Sequence, residues 1–190
     1  MSFKIPRGMP RRQFLGAGAA FAGLAGCANG VGNENAFKID QASDAAINFL
    51  YSSDQDAANI ASRASGILIM PQITEASFLF GGSFGTGSLR VQDATVDYYS
   101  ATQATVGLSI GAQQYSHALF FMSDAALENF RASDGWAAGA DIRYAADAEG
   151  QTIGFDSTQI NTPVIAYVFA QAGAIVGATL EGTKYTRIIP

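Results

Sequence analysis

Cys27 is the only cysteine in the 190 residues of the chain, and its neighbours specify what its thiol would do. Leu24-Ala25-Gly26-Cys27 is a lipobox, which predicts cleavage before Cys27 and acyl chains on its sulfur. Upstream, Pro10-Arg11-Arg12-Gln13-Phe14-Leu15 matches a twin-arginine export signal in all but its first letter, where Ser or Thr is usual. Arg11, Arg12, Phe14 and Leu15 carry that match, and a weakly apolar Ala/Gly-rich run continues from Phe14 to Gly26. The alternatives are a chance arginine pair in an ordinary secretory signal and a plain signal peptidase site. The expected organisation is a signal peptide over 1–26, a tether over 27–38 and one domain over 39–190. The expected place is the cell envelope, lipid-anchored on the periplasmic side. Ala28, rather than Asp, follows the cysteine, which favours the outer membrane if the cell has one.

The remaining chemistry-bearing residues are sparse. His117 is the only histidine, so a Zn or Cu site built from Cys and His is excluded within one chain. No D-x-[DN]-x-[DN]-G calcium loop occurs, and no cofactor site is legible. Ser116 and His117 are neighbours in an expected strand and should point to opposite faces, so they cannot form a hydrolase pair. Gly81-Gly82-Ser83-Phe84-Gly85-Thr86-Gly87 lacks the Lys-Ser/Thr of a P-loop and the spacing of a dinucleotide fold. Its glycines are expected on one strand face, where bare backbone lets another element approach closely. Trp136, the single tryptophan, reads either as a core anchor or as an aromatic that contacts lipid or a partner. Asp93, Asp97, Asp141, Asp147 and Asp156 read as solvated turn or strand-edge residues. No enzyme is expected.

Charge narrows the partners. The leader would remove Lys4, Arg7, Arg11 and Arg12 from the 11 basic residues, while all 16 acidic ones remain. The bases left over are scattered, so neither a nucleic-acid stripe nor a cluster for anionic lipid exists. Without a second cysteine, stability must come from packing.

Certain elements must position these residues. Ile47, Leu50 and Tyr51 mark a helix beginning near Ile39, capped by Ser43 or Asp44, and Ser52-Ser53-Asp54 starts a second one carrying Ala57 and Ile60. A short strand over Ile67–Met70 should stop at Pro71. Ser77 to Val91, Val96 to Ser100, Ala104 to Ala112 and Ser116 to Phe121 read as further strands. Ser123 to Arg131 is a short capped helix. The apolar run from Val164 to Leu180 is read as two strands around a Gln171-Ala172-Gly173 turn rather than as a membrane span, and Lys184 to Ile189 as a last strand.

Six ordered blocks resemble the SYLF domain family. They are Gly66-Ile67-Leu68-Ile69-Met70-Pro71; the glycine motif from Gly81 to Gly87; Gly107 with Ser109-Ile110-Gly111-Ala112-Gln113; Phe120-Phe121-Met122-Ser123 with Ala126-Leu127 and Phe130; Trp136 with Gly139-Ala140-Asp141; and Gly173, Gly177 and Leu180-Glu181-Gly182. The resemblance spans about Ala57 to Ile189 and implies a lipid-binding domain rather than an enzyme. Eukaryotic members bind phosphoinositides and some bind actin. Their basic N-terminal segment corresponds here to a stretch whose only base is Arg63, beside Asp44, Asp54 and Asp56. Phosphoinositide binding is therefore not carried over, and actin is not an expected partner in the periplasm.

The combined expectation is an α+β domain: an antiparallel, strongly curved sheet or partial barrel with N-terminal helices packed against it. Its partners are expected to be membrane lipid, through the Cys27 anchor and through the domain itself, or another envelope protein. Trp136, Phe84, Gly85 and Gly87 are the candidate contacts. A scaffold for an envelope protein, or a hydrolase acting on envelope lipid or glycan, are the alternatives.

Overall fold

A computed structural model of the chain describes residues 33–139, 142–144, 163–173 and 180–190. Cys27 and the export residues Arg11, Arg12, Phe14 and Leu15 lie outside these, as do Asp141, Asp147 and Asp156.

Helix α1 spans Glu34–Ser53 and α2 spans Gln55–Ala61. The break between them falls where the serines and Asp54 predict it, and the Asp54 carboxylate accepts from the backbone N–H groups of Asp56 and Ala57. The start of α1 differs from expectation. Asn33 caps it by accepting from the Ala36 N–H at 2.7 Å, so the helix begins inside the stretch read as tether. Ser43 is buried mid-helix, on the same side as Ala36, Ile47 and Leu50. The apolar stripe reaches one turn further back than the large residues alone reveal.

Strand β1 runs unbroken over Gly66–Val91 and β2 over Ala94–Phe121. They pair antiparallel from Gly66 opposite Phe121 to Val91 opposite Ala94. The expected stop at Pro71 and the expected gaps within β2 are therefore not element ends. Pro71 sits in a bulge, where the register shifts between Met70 and Ile73, and a bulge tolerates a residue with no N–H to donate. Gln92 and Asp93 form the two-residue hairpin tip with φ of 50° and 65°, the double left-handed pattern of a type I′ turn.

The other edge of β2 is shared. Strand β6 (Lys184–Ile188) pairs with Tyr98–Thr102, and β5 (Val164–Gly173) pairs with Gln113–Phe121. Two short strands finish the edges: β3 (Trp136–Ala137) on β6, and β4 (Ile142–Tyr144) on β5, the latter parallel. The sheet order is β3-β6-β2-β5-β4, with β1 along β2. Val164 to Gly173 is thus one strand that continues through the expected turn. The extra residue is taken up by a bulge at Ala170, whose φ is 52°. Residues 174–179 of the second expected strand lie outside the described residues, and Leu180 and Glu181 are not in a strand. The expected turn at Asp147–Gly150 also lies outside them. No described helix is long and apolar enough to cross a membrane.

Bulges in β1 at Pro71–Gln72 and in β5 at Ala170 both lie opposite Tyr115–Ser116 of β2. Bulges on both flanks bend the sheet at one level. A further irregularity between Phe78 and Phe80 lies near the middle of β1, and the strand folds back on itself about that point. Gly87 then faces the Ile69 carbonyl, Gly85 faces that of Gln72, and Gly66 lies near that of Arg90. The result is a strongly curled half-barrel.

Both faces of the curl are covered. Alternate residues Leu68, Met70, Leu119 and Phe121 turn inward with Tyr99, Tyr115 and Tyr185, while Ile69, Ala118 and Phe120 turn outward beneath Ile47, Leu50 and Ile60 of the helices. Helix α3 (Asp124–Ala132) plugs the inside. Ser123 caps it by accepting from the Ala126 N–H, and Leu127 and Phe130 enter the core. The Phe130 ring lies 4.7 Å from that of Tyr99 and 4.8 Å from that of Phe121. Each such ring pair adds about 1 kcal/mol beyond area burial.

Candidate functional site

Helix α1 lies along the second half of β1, and polar side chains hold it there. The Asp40 carboxylate accepts from Thr95 Oγ1 and from the Tyr98 hydroxyl, both at 2.8 Å. Arg90 donates to Asp44 at 2.6 Å and to the Asp40 carbonyl at 3.2 Å. Burial, reinforced by the Asp40 carboxylate, pushes the Tyr98 phenol up to about 12, so it stays a donor. These bonds fix the helix above the hairpin but do not close the surface on either side of it.

On one flank, Lys38, Ile39 and Ala42 of α1 face Pro71, Gln72, Thr74, Phe84, Gly85 and Thr86 of β1 across an open groove of about 360 Å³. Its walls are mostly apolar. Phe84 stands on the rim with 57 % of its surface exposed, and the only charged lining residue, Lys38, is paired with Glu34 at 2.8 Å. Gly85, in its lining, lets the two halves of β1 approach closely, since a methyl there would overlap the Gln72 carbonyl oxygen and the Ile73 side chain.

On the other flank, a cleft of about 520 Å³ separates α1 and α2 from the hairpin tip. Ile47, Ala61 and Ile67 form its floor, and Asp44, Arg90 and Asp93 stand among its polar lining. Arg90 and Asp44 pair within this lining, while the buried Nε of Arg90 has no hydrogen-bond partner among the described residues.

Of the sequence candidates, Phe84 and Gly85 meet in the first groove. Gly87 does not: it lies under Ile69 and Met70 inside the curl, where a side chain has no room. Trp136 is also elsewhere. It packs on Phe130 at 5.5 Å and Tyr185 at 5.8 Å, where α3 meets the sheet. The aspartates divide. Asp93 is in the hairpin turn as expected, but Asp97 is buried rather than solvated. Its carboxylate takes Arg131 Nε at 3.0 Å and Arg187 Nε at 2.7 Å.

Ser116 and His117 point apart, as strand geometry requires. Ser116 donates to the Pro71 carbonyl at 2.6 Å. His117 is fully buried, and its Nε2 shares a hydrogen bond of 2.8 Å with the Tyr185 hydroxyl. Burial lowers its pKa to about 3, which keeps the ring neutral. A second buried pair lies across β1 and β2, where Gln113 donates to the Glu75 carboxylate at 2.7 Å. No cluster of three or more His, Cys, Asp or Glu able to hold a metal occurs among the described residues.

Sequence reasoning missed Ile39, Ala42 and Pro71 as groove walls, and missed Phe37 and Ile189 as exposed apolar residues. The available signal was Phe37, which falls outside the buried stripe of α1.

A family model described as Ysc84, Las17-binding protein actin regulator, matches residues 102–187. That region holds most of β2, all of α3, the core ring of Trp136 and nearly all of β6. No match to a curated protein was found. Four of the six sequence blocks lie within the matched region or overlap it, so the family model and the sequence blocks agree that residues 102–187 are similar to a Ysc84 (SYLF) domain.

Proposed function

We propose that this protein is an envelope lipoprotein, held to the membrane by acyl chains on Cys27, whose Ysc84 (SYLF) domain is non-catalytic and binds lipid at the bilayer surface. The groove between α1 and β1 carries the reading. It is open, walled by Ile39, Ala42, Pro71 and Phe84, and has its one charged wall residue neutralised by a neighbour. Such a surface gains by contact with acyl chains and offers little to a soluble polar ligand. The acidic balance of the chain opposes long-range attraction to anionic lipid, which leaves apolar contact as the driving term. Tethering raises the local concentration of the domain at the surface, so a weak contact suffices. Non-catalysis is supported by the bonding of Ser116, His117, Glu75 and Gln113 between strands of the sheet rather than around a cleft.

The test has two arms. Cells fed a labelled fatty acid should yield labelled protein in the membrane fraction, and the Cys27→Ser variant should lose both label and fractionation. Purified Cys27→Ser protein should sediment with neutral phosphatidylcholine vesicles, and binding should persist at about 1 M salt, where the Debye length is about 3 Å. Absence of label, or vesicle binding abolished by salt, would refute the corresponding half of the proposal.

A further inference from the structure

One end of the domain holds the three most exposed large apolar residues among the described ones: Phe37 is 64 % exposed, Phe84 57 % and Ile189 76 %. The fourth, Phe49, lies toward the other end of α1, is 50 % exposed and stacks on Phe169 at 6.3 Å. Phe37 is in the first turn of α1. Phe84 lines the groove with Lys38 and Ile39, one residue further along the same helix. Ile189 precedes Pro190, whose carbonyl accepts from the Asn33 side-chain amide at the helix cap. Asn33 thus brings the last residues of the chain to the start of α1, so three distant parts of the sequence meet at one end.

The leash leads to that same end. Asn33 stands six residues after Cys27, and six residues reach at most about 20 Å. Helix α1 itself is about 30 Å long at 1.5 Å per residue, so its far end cannot touch the surface while its near end is tethered, unless the domain lies flat. Charge opposes lying flat. Asp54 and Asp56 are at the far end of α1, and Asp93 lines the cleft with Asn48 and Tyr51 beside it. With Arg63 the one exposed base beside these three aspartates, an anionic bilayer still repels that end on balance, and the near end has its Lys38 and Glu34 charges paired.

We infer that the bilayer-facing surface of the domain is this end, with Phe37, Phe84 and Ile189 entering the membrane interface and α1 standing away from it. The inference rests on the lipoprotein reading above and adds an orientation to it. Large apolar side chains at an interface leave water without requiring a deep pocket. The Phe84 groove then opens directly against the lipid, where an acyl chain can lie along Ile39 and Pro71.

The test uses the acylated full-length protein in vesicles. Because acylation consumes the native thiol, single changes Phe37→Cys, Phe84→Cys, Ile189→Cys, Asp56→Cys and Asp93→Cys each give one labelling site for a fluorophore. Lipid-borne nitroxide should quench the labels at 37, 84 and 189 and leave those at 56 and 93 unaffected. Aqueous iodide should show the reverse order. Equal quenching at all five positions, or stronger lipid quenching at 56 and 93, overturns the inference. Fatty-acid labelling of the same preparations separates the two readings. Acylated protein without the expected pattern defeats the orientation alone, whereas unacylated protein defeats the lipoprotein reading and the orientation with it.

Discussion

Gly87 and His117 show how single residues set the inside of the curl. Gly87 allows β1 to fold onto its own first half, with its α-carbon under the Ile69 carbonyl. Gly87→Ala should destabilise the domain by about 3 kcal/mol, through overpacking against backbone that cannot yield. Urea unfolding measures this, with Gly139→Ala as the control, since a methyl at Gly139 meets nothing within 4 Å. His117 gives a pH dependence. Its pKa falls from the ordinary 6.5 to about 3 in the folded state. Below 6.5 the unfolded chain therefore takes up a proton that the folded protein refuses, and stability declines as pH drops through that window. His117→Gln should show a shallower decline between about pH 7 and 5, where a free imidazole titrates, read from denaturant midpoints at each pH. An equal slope in both proteins would mean that the buried ring does not govern this limb.

At the scale of elements, the local signals were legible and the long strands were not. The break at Asp54, the capped α3 and the strand at β6 all follow from residues within one or two turns of the feature they specify. Strands β1 and β2 were read as several pieces because Pro71 and the glycines resemble stops. They are bulges and bends, and only pairing across the hairpin distinguishes a bend from an end. The hairpin tip carries a separate cost. Gln92 and Asp93 hold a conformation that favours Asn or Gly. Asp93→Gly should raise stability by roughly 0.5–1 kcal/mol, because Gly enters the left-handed region without strain. A rise in melting temperature checks this, and an unchanged value would show that Asp93 is not strained. Among the described residues the Asp93 carboxylate forms no hydrogen bond or ion pair that the change would remove, whereas Asp40 and Asp44 hold α1 onto this hairpin through Thr95, Tyr98 and Arg90.

At the scale of the whole molecule, Asp97 joins parts that the sequence keeps far apart. From β2 it holds Arg131 at the end of α3 and Arg187 in β6, both through their Nε groups. The carboxylate is buried and the two arginines are half-exposed, so solvent screens part of the gain. Asp97→Asn should cost about 1–2 kcal/mol. It should also speed hydrogen exchange in α3 and β6 more than in α1. Uniform acceleration across the chain would mean that Asp97 contributes to general stability and not to closure of the curl. The same scale governs the groove. Phe84 and Gly85 were identifiable as candidates, but Ile39, Ala42 and Pro71 join them only when α1 docks on β1.

By itself the sequence determined the class of the domain, its family blocks and the caps of α2 and α3, because each of these depends on residue type and short spacing. Tertiary structure decided which glycines admit backbone, which aspartate is solvated and which is a clamp, and which apolar residues stay exposed. Those outcomes depend on how far β1 folds back on itself. That is set by bulges on strands β1 and β5 facing one level of β2, and these two strands, far apart in sequence, must both pair with β2 before the bulges bend the sheet together.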